Sequence, residues 1–284
     1  MPDFGGLPPL LWPLIAGLFG LLIGSFLNVC IYRWPRDLSV VKPRSACPGC
    51  GKTIAWYDNV PVLSFLLLRG QCRRCGMKIS PVYPAVELLT GVSFAWFVAF
   101  DGMTLAAAKD CLFAAILIGL IFADLDTRLL PDEFTLGGLA AGLVFSLFLP
   151  VPPTFFGLIA DVLRVHPGVR MMSFGEAVIG AVVPALGMWS VGWIFEKVRH
   201  KEYLGFGDVK MIAMMGAFLG LAGTVVTLLI GSLIGSVGGY AWMKLTGRDP
   251  ATYYLPFATF LGAGALIVVG AHGGITNWYA QLLR

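Results

Sequence analysis

Long apolar stretches separated by short polar segments dominate the 284 residues of the chain. A helix needs about 20 apolar residues to cross a bilayer, and eight stretches reach or approach that length. They cover roughly residues 9–32, 82–100, 104–123, 134–152, 174–195, 208–222, 224–243 and 255–272. Residues 1–32 contain no Lys or Arg, so the first stretch lacks the basic region of a signal peptide and is expected to be retained. The pattern predicts an all-α polytopic membrane protein with about eight transmembrane helices.

Two polar stretches interrupt the apolar pattern. Residues 33–80 form a polar island between the first two apolar stretches, and residues 153–172 form a shorter polar segment. The shorter segment has no obvious amphipathic pattern, so we expect a loop there. The sixth apolar stretch is short, and the letters "GLAG" near its end are compatible with a tight turn before the seventh.

Composition agrees with a membrane protein, and the distribution of basic residues predicts its orientation. The chain is 57% hydrophobic and 13% charged, with a mean hydropathy of +0.81. Sixteen Lys and Arg residues fall on the side of the island, and three fall on the opposite side. Because Lys and Arg resist translocation, we expect the island in the cytoplasm and both termini in the periplasm. The net charge of +4 gives no reason to expect a nucleic-acid partner.

Four of the six cysteines lie in the island as two CxxC pairs. The pairs are "CPGC", with Cys47 and Cys50, and "CRRC", with Cys72 and Cys75. Two such pairs about twenty residues apart suit a tetrahedral zinc site. Redox dithiols or disulfides are the alternative, but the reducing cytoplasm favours zinc. The island has few apolar residues, so we expect the metal to be structural.

Few carboxylates lie in or at the ends of the apolar stretches, and they are the candidates for chemistry. They are Glu87, Asp110, Asp124, Asp126, Glu176 and Asp208. The chain has no HExxH motif and no serine placed with a histidine inside an apolar stretch. These absences argue against zinc and serine intramembrane proteases and leave acid chemistry.

Two acidic sites fall at the predicted cytoplasmic face. Asp124 and Asp126 close the third apolar stretch in "FADLDTRLLPDEFT", and Asp208 opens the sixth in "GFGD". Two carboxylates at one depth suit an aspartic protease, because neighbouring like charges keep one acid protonated and the other ionised. The ionised acid takes a proton from water, and the neutral acid hydrogen-bonds the scissile carbonyl. The alternative is that Asp208 only caps a helix and the other acids form a solvated helix end.

The surroundings of Asp208 fit this chemistry. Gly205 and Gly207 leave room for an extended substrate backbone beside it. Asp208 has the position of a helix N-cap, where the helix dipole favours the ionised carboxylate.

The neighbouring acids compete for the role of partner to Asp208. Residues two apart on a helix point about 200° apart, so only one of Asp124 and Asp126 can face the partner. Asp124 lies deeper in the apolar run, where burial favours the protonated acid, whereas Asp126 is nearer water and Arg128. Asp132 follows Pro131, which ends or bends the helix, so we expect it in a loop.

Several segments, in order along the chain, resemble the type IV prepilin peptidase family, the GxGD-type aspartic proteases of pilus and type II secretion systems. "GSFLNVCIYRWP" resembles the family's N-terminal signature, and the twin CxxC island follows it. "ISPVYPAVELLTG" resembles a segment that re-enters the membrane, and "DLDTRLLPDEFT" and "GFGDVKM" resemble the two aspartate motifs. "LPFATFLGAGAL" resembles the last helix. In the family the catalytic acid lies seven residues before the proline, which implies Asp124 and Asp208 as the catalytic pair.

The resemblance implies a bacterial inner-membrane enzyme in three parts. Residues 1–32 would be the first transmembrane helix, residues 33–80 a cytoplasmic zinc-binding domain, and residues 81–284 a membrane-embedded aspartic protease domain. The implied substrates are prepilins or pseudopilins, whose basic leader is cut after a glycine at the cytoplasmic face. Membrane lipid surrounds such an enzyme.

A second activity implied by the resemblance is methylation of the new N-terminal residue with S-adenosylmethionine. Residues 24–35 and the island are the parts associated with it. Asn28 and Arg33 are the polar side chains there that could hold the methyl donor. A helix-end hydrogen bond for Asn28 and a cytoplasmic charge anchor for Arg33 are equally open alternatives.

Two other functions compete with the protease. A proton- or ion-coupled transporter could use the same carboxylates, because intramembrane acids are common in transporters. The absence of an inverted repeat and the placement of both acids at one face argue against it. A non-catalytic assembly scaffold could bind partners through the island, but it would leave the acid pair unexplained.

Overall fold

The chain is helical throughout the part described by this computed structural model, which comprises residue 8 and residues 10–151, 154–165, 167–199, 205–247 and 256–271. These ranges contain nine α-helices and no β-strand, only two isolated β-bridges within the island. The chain divides into two compact units, Met1–Asp126 and Thr127–Arg284, and each is described by itself. The prediction of an all-α protein is confirmed.

The first unit consists of four α-helices and the polar island. They are α1 (Leu11–Arg33), α2 (Leu63–Leu67), α3 (Val82–Asp101) and α4 (Leu105–Thr127), whose last residue belongs to the second unit. The island contains α2 and two short 3-10 helices, Trp34–Arg36 and Trp56–Asn59. Among the side chains with almost no exposed surface are Phe113, Leu117 and Ile118 of α4.

Helices α1 and α3 pack closely because glycines face the partner helix. A Cβ placed on Gly20 would lie 2.8 Å from the carbonyl oxygen of Thr90, and one on Gly24 would lie 2.7 Å from the Cα of Glu87. Small residues let helix backbones approach to this distance in a membrane protein. The buried amide of Asn28 adds a polar link, since its Nδ2 donates to the carbonyl oxygen of Tyr83 at 3.0 Å.

The second unit contains five helices, of which α8 is the longest. They are α5 (Asp132–Ser146), α6 (Phe155–Val162), α7 (Val169–Arg199), α8 (Phe206–Thr246) and α9 (Phe257–Gly270). Helices α7 and α8 meet at glycines: a Cβ on Gly216 would lie 1.9 Å from the carbonyl oxygen of Gly180. Gly220 interrupts α8 with φ 69°, a left-handed conformation that glycine adopts without steric cost.

Each of the eight predicted spans falls on a helix of the described residues, but the helices differ in length. Five helices, α1, α3, α4, α7 and α8, are long and apolar enough to cross a membrane. Helices α5 and α9 have only 15 and 14 residues. The predicted sixth and seventh spans both lie on α8. Between them, at the first residue of "GLAG", Gly220 departs from helical geometry, and two helical segments meet there at a kink.

The loop predicted for residues 153–172 is wrong for much of its length. This stretch contains α6, and α7 begins at Val169. The fully buried Glu176 of α7 supports α6: its Oε2 accepts the backbone N–H groups of Thr154 and Phe156 at 3.0 and 2.9 Å. The first N–H groups of a helix have no partner within it, so a long-range acceptor determined where α6 starts. The predicted positions of both termini lie outside the described residues.

Candidate active site and metal site

The four island cysteines come together at one point. Their Sγ atoms all lie within 4.8 Å of one another, and those of Cys47 and Cys75 are 3.7 Å apart. Four sulfurs about 2.3 Å from a tetrahedral zinc ion would be separated by about 3.8 Å. All four cysteines are free thiols rather than disulfides. The donor set therefore fits a zinc ion, as the spacing of the two CxxC pairs predicts.

The two CxxC pairs have the same backbone geometry. In the first, the N–H of Cys47 donates to Lys52 and the N–H of Gly51 donates to Cys47. The second repeats this pattern with Cys72, Gly76 and Met77 in the corresponding positions. Gly51 and Gly76 have φ 68° and 70°, the left-handed conformation that such a turn requires of glycine. Each turn presents two sulfurs to the same side.

The two thiols of the second pair differ in pKa. At Cys75 the backbone N–H of Met77 favours the thiolate, but burial and the neighbouring cysteine side chains outweigh it and raise the pKa to about 11. Backbone N–H groups of Arg74 and Cys75 lower the pKa of the Cys72 thiol to about 6. A thiolate, not a thiol, is the form that binds a metal. Next to Cys72, Arg73 donates to both carboxylate oxygens of Asp58 at 2.7 to 3.1 Å. This ion pair links the turn that contains Cys72 and Cys75 to the 3-10 helix Trp56–Asn59.

Asp124 and Asp126 differ in exposure, as residues two apart on a helix should. Asp124 is 6% exposed near the end of α4. The side chain of Asp126 is 46% exposed and forms an ion pair with Arg36, with 3.0 Å between Asp126 Oδ2 and Arg36 Nη2. The burial of Asp124 is the environment that favours a protonated acid.

Asp208 lies in the first turn of α8, half buried. The expectation that Asp208 is the N-cap is wrong: the N-cap is Gly205, whose carbonyl oxygen accepts the N–H of Asp208 at 3.1 Å. The helix begins three residues earlier than expected, because Phe206, Gly207 and Asp208 already adopt helical geometry. A carboxylate in the first turn still benefits from the positive end of the helix dipole.

The two glycines of "GFGD" have different surroundings. A Cβ on Gly207 would lie 3.2 Å from the Cβ of Leu130, so this glycine permits close packing of the segment before α5. Among the described residues, the nearest neighbour of such a Cβ at Gly205 would be Asp208 Oδ2, at an ordinary 3.6 Å. The room predicted for a substrate at Gly207 is therefore taken by Leu130, whereas the described residues leave room at Gly205.

Asp132 does not lie in a loop, as the sequence suggested, but begins α5. Pro131 is the N-cap of this helix, a place where proline's missing N–H costs nothing. The carboxylate of Asp132 pairs with Lys210 of α8, with 2.5 Å between Oδ1 and Nζ. No sequence pattern predicts this pair, because the two residues are 78 positions apart and each alone is compatible with a surface charge.

The other buried acids have backbone partners and structural roles. Glu176 supports α6, and Glu87 of α3 accepts the backbone N–H of Val62 at 2.8 Å. The contact between Glu87 and Val62 was also not predicted from the sequence. The one indication was that Glu87 is an acid inside an apolar segment, where a carboxylate needs a partner.

The side chains predicted to hold a methyl donor make hydrogen bonds with the backbone. Asn28 links α1 to α3, and Arg33 donates to the carbonyl oxygens of Ser39 and Pro43, both at 2.6 Å. These contacts match the alternatives left open for the two residues. A role for either in binding S-adenosylmethionine stays a prediction.

Comparison with known proteins matches most of the chain. The family model described as the bacterial peptidase A24 N-terminal domain matches residues 18–100, and that of the type IV leader peptidase family matches residues 111–240. A prepilin leader peptidase/N-methyltransferase of Aeromonas hydrophila is 36% identical over 96% of this chain and 95% of its own length. Those of Neisseria gonorrhoeae and Pseudomonas aeruginosa are 33% and 32% identical over 98% of this chain and 98% and 97% of their own lengths. No solved structure matches the chain.

These matches cover both units and reproduce the family that the motifs resemble. With identities above 30% over nearly the full length of several relatives, they show common descent rather than a shared motif. The apolar helices make the protein a multi-pass membrane protein. The chain therefore belongs to the type IV leader peptidase family.

Proposed function

We propose that this protein is a membrane aspartic endopeptidase that removes the basic leader from prepilins or pseudopilins and then methylates the new N-terminal residue. Family membership supports an enzyme that processes prepilins, and the names of the relatives support both activities. Membership in a leader peptidase family gives no support to the transporter alternative.

The proposed catalytic pair is Asp124 with Asp208. The observation that carries this proposal is the packing of Leu130 against Gly207, reinforced by the ion pair between Asp132 and Lys210. Within the second unit, the start of the segment that leads into α5 therefore lies against the turn that contains Asp208. Each acid also has the environment that its role requires.

Asp124 would act as the proton-holding acid and Asp208 as the base. Burial of Asp124 disfavours its charged form, whereas the first turn of α8 favours a charged Asp208. The Asp208 carboxylate accepts a proton from the attacking water, and the Asp124 carboxylic acid hydrogen-bonds the scissile carbonyl oxygen as negative charge develops there. No covalent intermediate is formed.

The proposed orientation places this chemistry at the cytoplasmic face. Sixteen Lys and Arg residues on the side of the island, against three on the other, support a cytoplasmic island and periplasmic termini. A prepilin leader is basic and stays in the cytoplasm, so its scissile bond would meet the acids at that face. Beside Gly205 the described residues leave space for the extended backbone that cleavage requires.

Zinc in the island is proposed as a structural ion, held by Cys47, Cys50, Cys72 and Cys75. The sulfur geometry supports zinc, and Cys47 is the only buried apolar residue among the described residues 33–80, so a metal is needed where a core is missing. Bound S-adenosylmethionine would supply the methyl group for the second activity. The support for that donor is the methyltransferase activity in the names of the relatives, since the predicted side chains Asn28 and Arg33 form hydrogen bonds with the backbone.

Co-expression with one prepilin tests both activities in a single measurement. Mass spectrometry of the mature pilin should show loss of the leader after its glycine and one added methyl group on the new N-terminal amine. A prepilin that keeps its leader would reject the peptidase proposal. A cut but unmethylated product would retain the peptidase and reject the methyltransferase.

A further inference from the structure

The island carries an exposed apolar surface that the proposed chemistry does not use. We define the leucine face as Leu63, Leu66 and Leu67 of α2, whose exposed fractions are 52%, 64% and 73%. No charged residue occurs between Asp58 and Arg69. In a domain surrounded by water, a cluster of this kind would mark a contact surface.

The start of α2 is held at the depth of the membrane helices. The backbone N–H of Val62, the residue before α2, donates to Glu87 Oε2 at 2.8 Å. Glu87 lies about 8 Å along α3 from its first residue, Val82. It also packs against Gly24 of α1, which lies about 13 Å along the helix axis from Arg33 at the end of α1. Val62 therefore lies beside the apolar parts of both helices, not beyond their ends.

Several contacts hold α2 with its leucine face outward. The buried hydroxyl of Ser64 accepts the N–H of Val60 at 3.0 Å and donates to the carbonyl oxygen of Tyr57 at 2.9 Å. Val62 has φ 61°, a conformation that is costly for a β-branched residue and persists only where its surroundings impose it. The orientation of the leucine face is thus built into the fold of the island.

The residues around the leucine face suit a membrane interface. Trp56, 77% exposed, precedes the uncharged run, and tryptophan concentrates at the level of lipid headgroups. Arg69 and Arg74 are exposed after the run and can contact anionic headgroups. An apolar face, an interfacial tryptophan and flanking arginines form the pattern of a helix that lies in the membrane surface.

We propose that the leucine face of α2 is inserted in the lipid bilayer, so that this part of the island lies in the membrane interface. The occupant of the face is lipid with anionic headgroups, and the cysteine pairs lie on the water side of it. This assignment modifies the expectation that all of residues 33–80 are cytoplasmic. It does not depend on the proposed peptidase activity.

A genetically encoded benzophenone amino acid at position 67 tests the proposal. The full-length protein, reconstituted in nanodiscs of phosphatidylethanolamine and phosphatidylglycerol, would be irradiated and its adducts identified by intact mass. The matched control is position 41, because Val41 is also apolar and 77% exposed but lies in the loop that Arg33 holds beyond the end of α1. We expect several-fold more phospholipid adduct from position 67 than from position 41. Equal lipid yields, or adducts from position 67 mainly to a second copy or a co-reconstituted prepilin, would overturn the proposal.

The hydrogen bond between Val62 and Glu87 allows a second test of the depth of α2. Glu87→Gln keeps a carbonyl oxygen that can accept the N–H of Val62, whereas Glu87→Leu removes the acceptor. In variants that retain their zinc, lipid adducts from position 67 should fall several-fold with Glu87→Leu and persist with Glu87→Gln. Undiminished adducts with Glu87→Leu would overturn the depth assignment on which the proposal rests.

Discussion

The acids of this protein have different surroundings, and those surroundings suggest different roles. Asp124 and Asp126 are two residues apart on α4, yet one is almost fully buried and the other pairs with Arg36 in contact with water. Glu176 is also buried, but it accepts hydrogen bonds from two backbone N–H groups. Burial alone therefore does not identify a catalytic acid. The bonds that each carboxylate already makes must be compared.

The first prediction separates the two proposed catalytic acids, Asp124 and Asp208, from Asp126. Asp124→Asn and Asp208→Asn should each lower prepilin cleavage by about 100- to 10,000-fold, because an amide can neither hold nor accept the catalytic proton. Asp126→Asn is the matched control and should keep measurable activity, since it removes only an exposed ion pair. Cleavage of a prepilin-derived peptide by purified protein measures the effect. Full activity of the Asp124→Asn protein, or loss confined to Asp126→Asn, would contradict the assignment.

The second prediction concerns Glu176. Glu176→Ala should destabilise the protein by about 1–3 kcal/mol, because the N–H groups of Thr154 and Phe156 lose a buried acceptor. Thermal unfolding in detergent should show a lower midpoint, with cleavage activity retained below it. The control is Glu133→Ala, which changes an exposed carboxylate in the first turn of α5. Loss of cleavage without loss of stability would instead make Glu176 part of the chemistry.

Close helix packing in both units depends on glycines at particular faces. In the first unit α1 and α3 approach through Gly20 and Gly24, and in the second α7 and α8 approach through Gly180 and Gly216. Membrane helices gain little from the hydrophobic effect when they associate, so close van der Waals contact has to supply the attraction. A methyl group at these faces would push the helices apart.

The third prediction tests this dependence on α7. Gly180→Ala should destabilise the protein by at least about 1–3 kcal/mol, because its Cβ would lie 2.5 Å from the backbone of Gly220. Gly187→Ala, on the same helix with open space around it, should be neutral or stabilise by about 0.4–1 kcal/mol. Unfolding midpoints of the two variants in the same detergent decide the matter. Equal midpoints would show that the two helices are not in close contact at Gly180.

The fourth prediction concerns the metal of the island. Purified protein should contain one zinc ion per chain, and Cys72→Ser should lose most of it, because structural zinc sites use four ligands. Cys30→Ser, in a buried position on α1, is the control and should keep the zinc. Elemental analysis of freshly reduced protein measures both variants. If the unaltered protein contained no metal, zinc would be rejected as the ion bound by the cysteine cluster.

The arrangement of the chain across the membrane follows from charge, and the structure supplies positions at which to test it. Val41 is exposed in the loop after α1, and Met103 is 49% exposed between α3 and α4. On the proposed orientation these residues lie on opposite sides, since α3 connects them. The asymmetry of Lys and Arg gives the direction.

The fifth prediction is therefore a labelling pattern. A cysteine introduced by Val41→Cys should react with a membrane-impermeant maleimide only in inside-out vesicles, and one introduced by Met103→Cys only in right-side-out vesicles. The unaltered protein measures the background from its own cysteines. The reverse pattern would invert the orientation and remove the cytoplasmic setting of the proposed cleavage.

Local patterns in the sequence determined much of this protein. Runs of apolar residues predicted the helices, because a helix in lipid must be apolar along a length set by the bilayer. The spacing of four cysteines predicted their cluster, because two CxxC turns and one tetrahedral ion leave few arrangements. The order of the motifs identified the family. Among the predictions that failed, the loop at residues 153–172 and the N-cap at Asp208 both concerned where a helix begins or ends.

Only the tertiary structure decided which distant residues complete each local feature. Glu176 accepts a backbone N–H at the start of α6, and Glu87 holds Val62 beside the membrane helices. Lys210 forms an ion pair with Asp132. Partners 20 to 78 positions apart leave no periodic signal, because each side chain alone is equally compatible with a surface position. The same holds for the glycines of α7 and α8: sequence marks a small residue, but only packing shows that a backbone lies where its side chain would be.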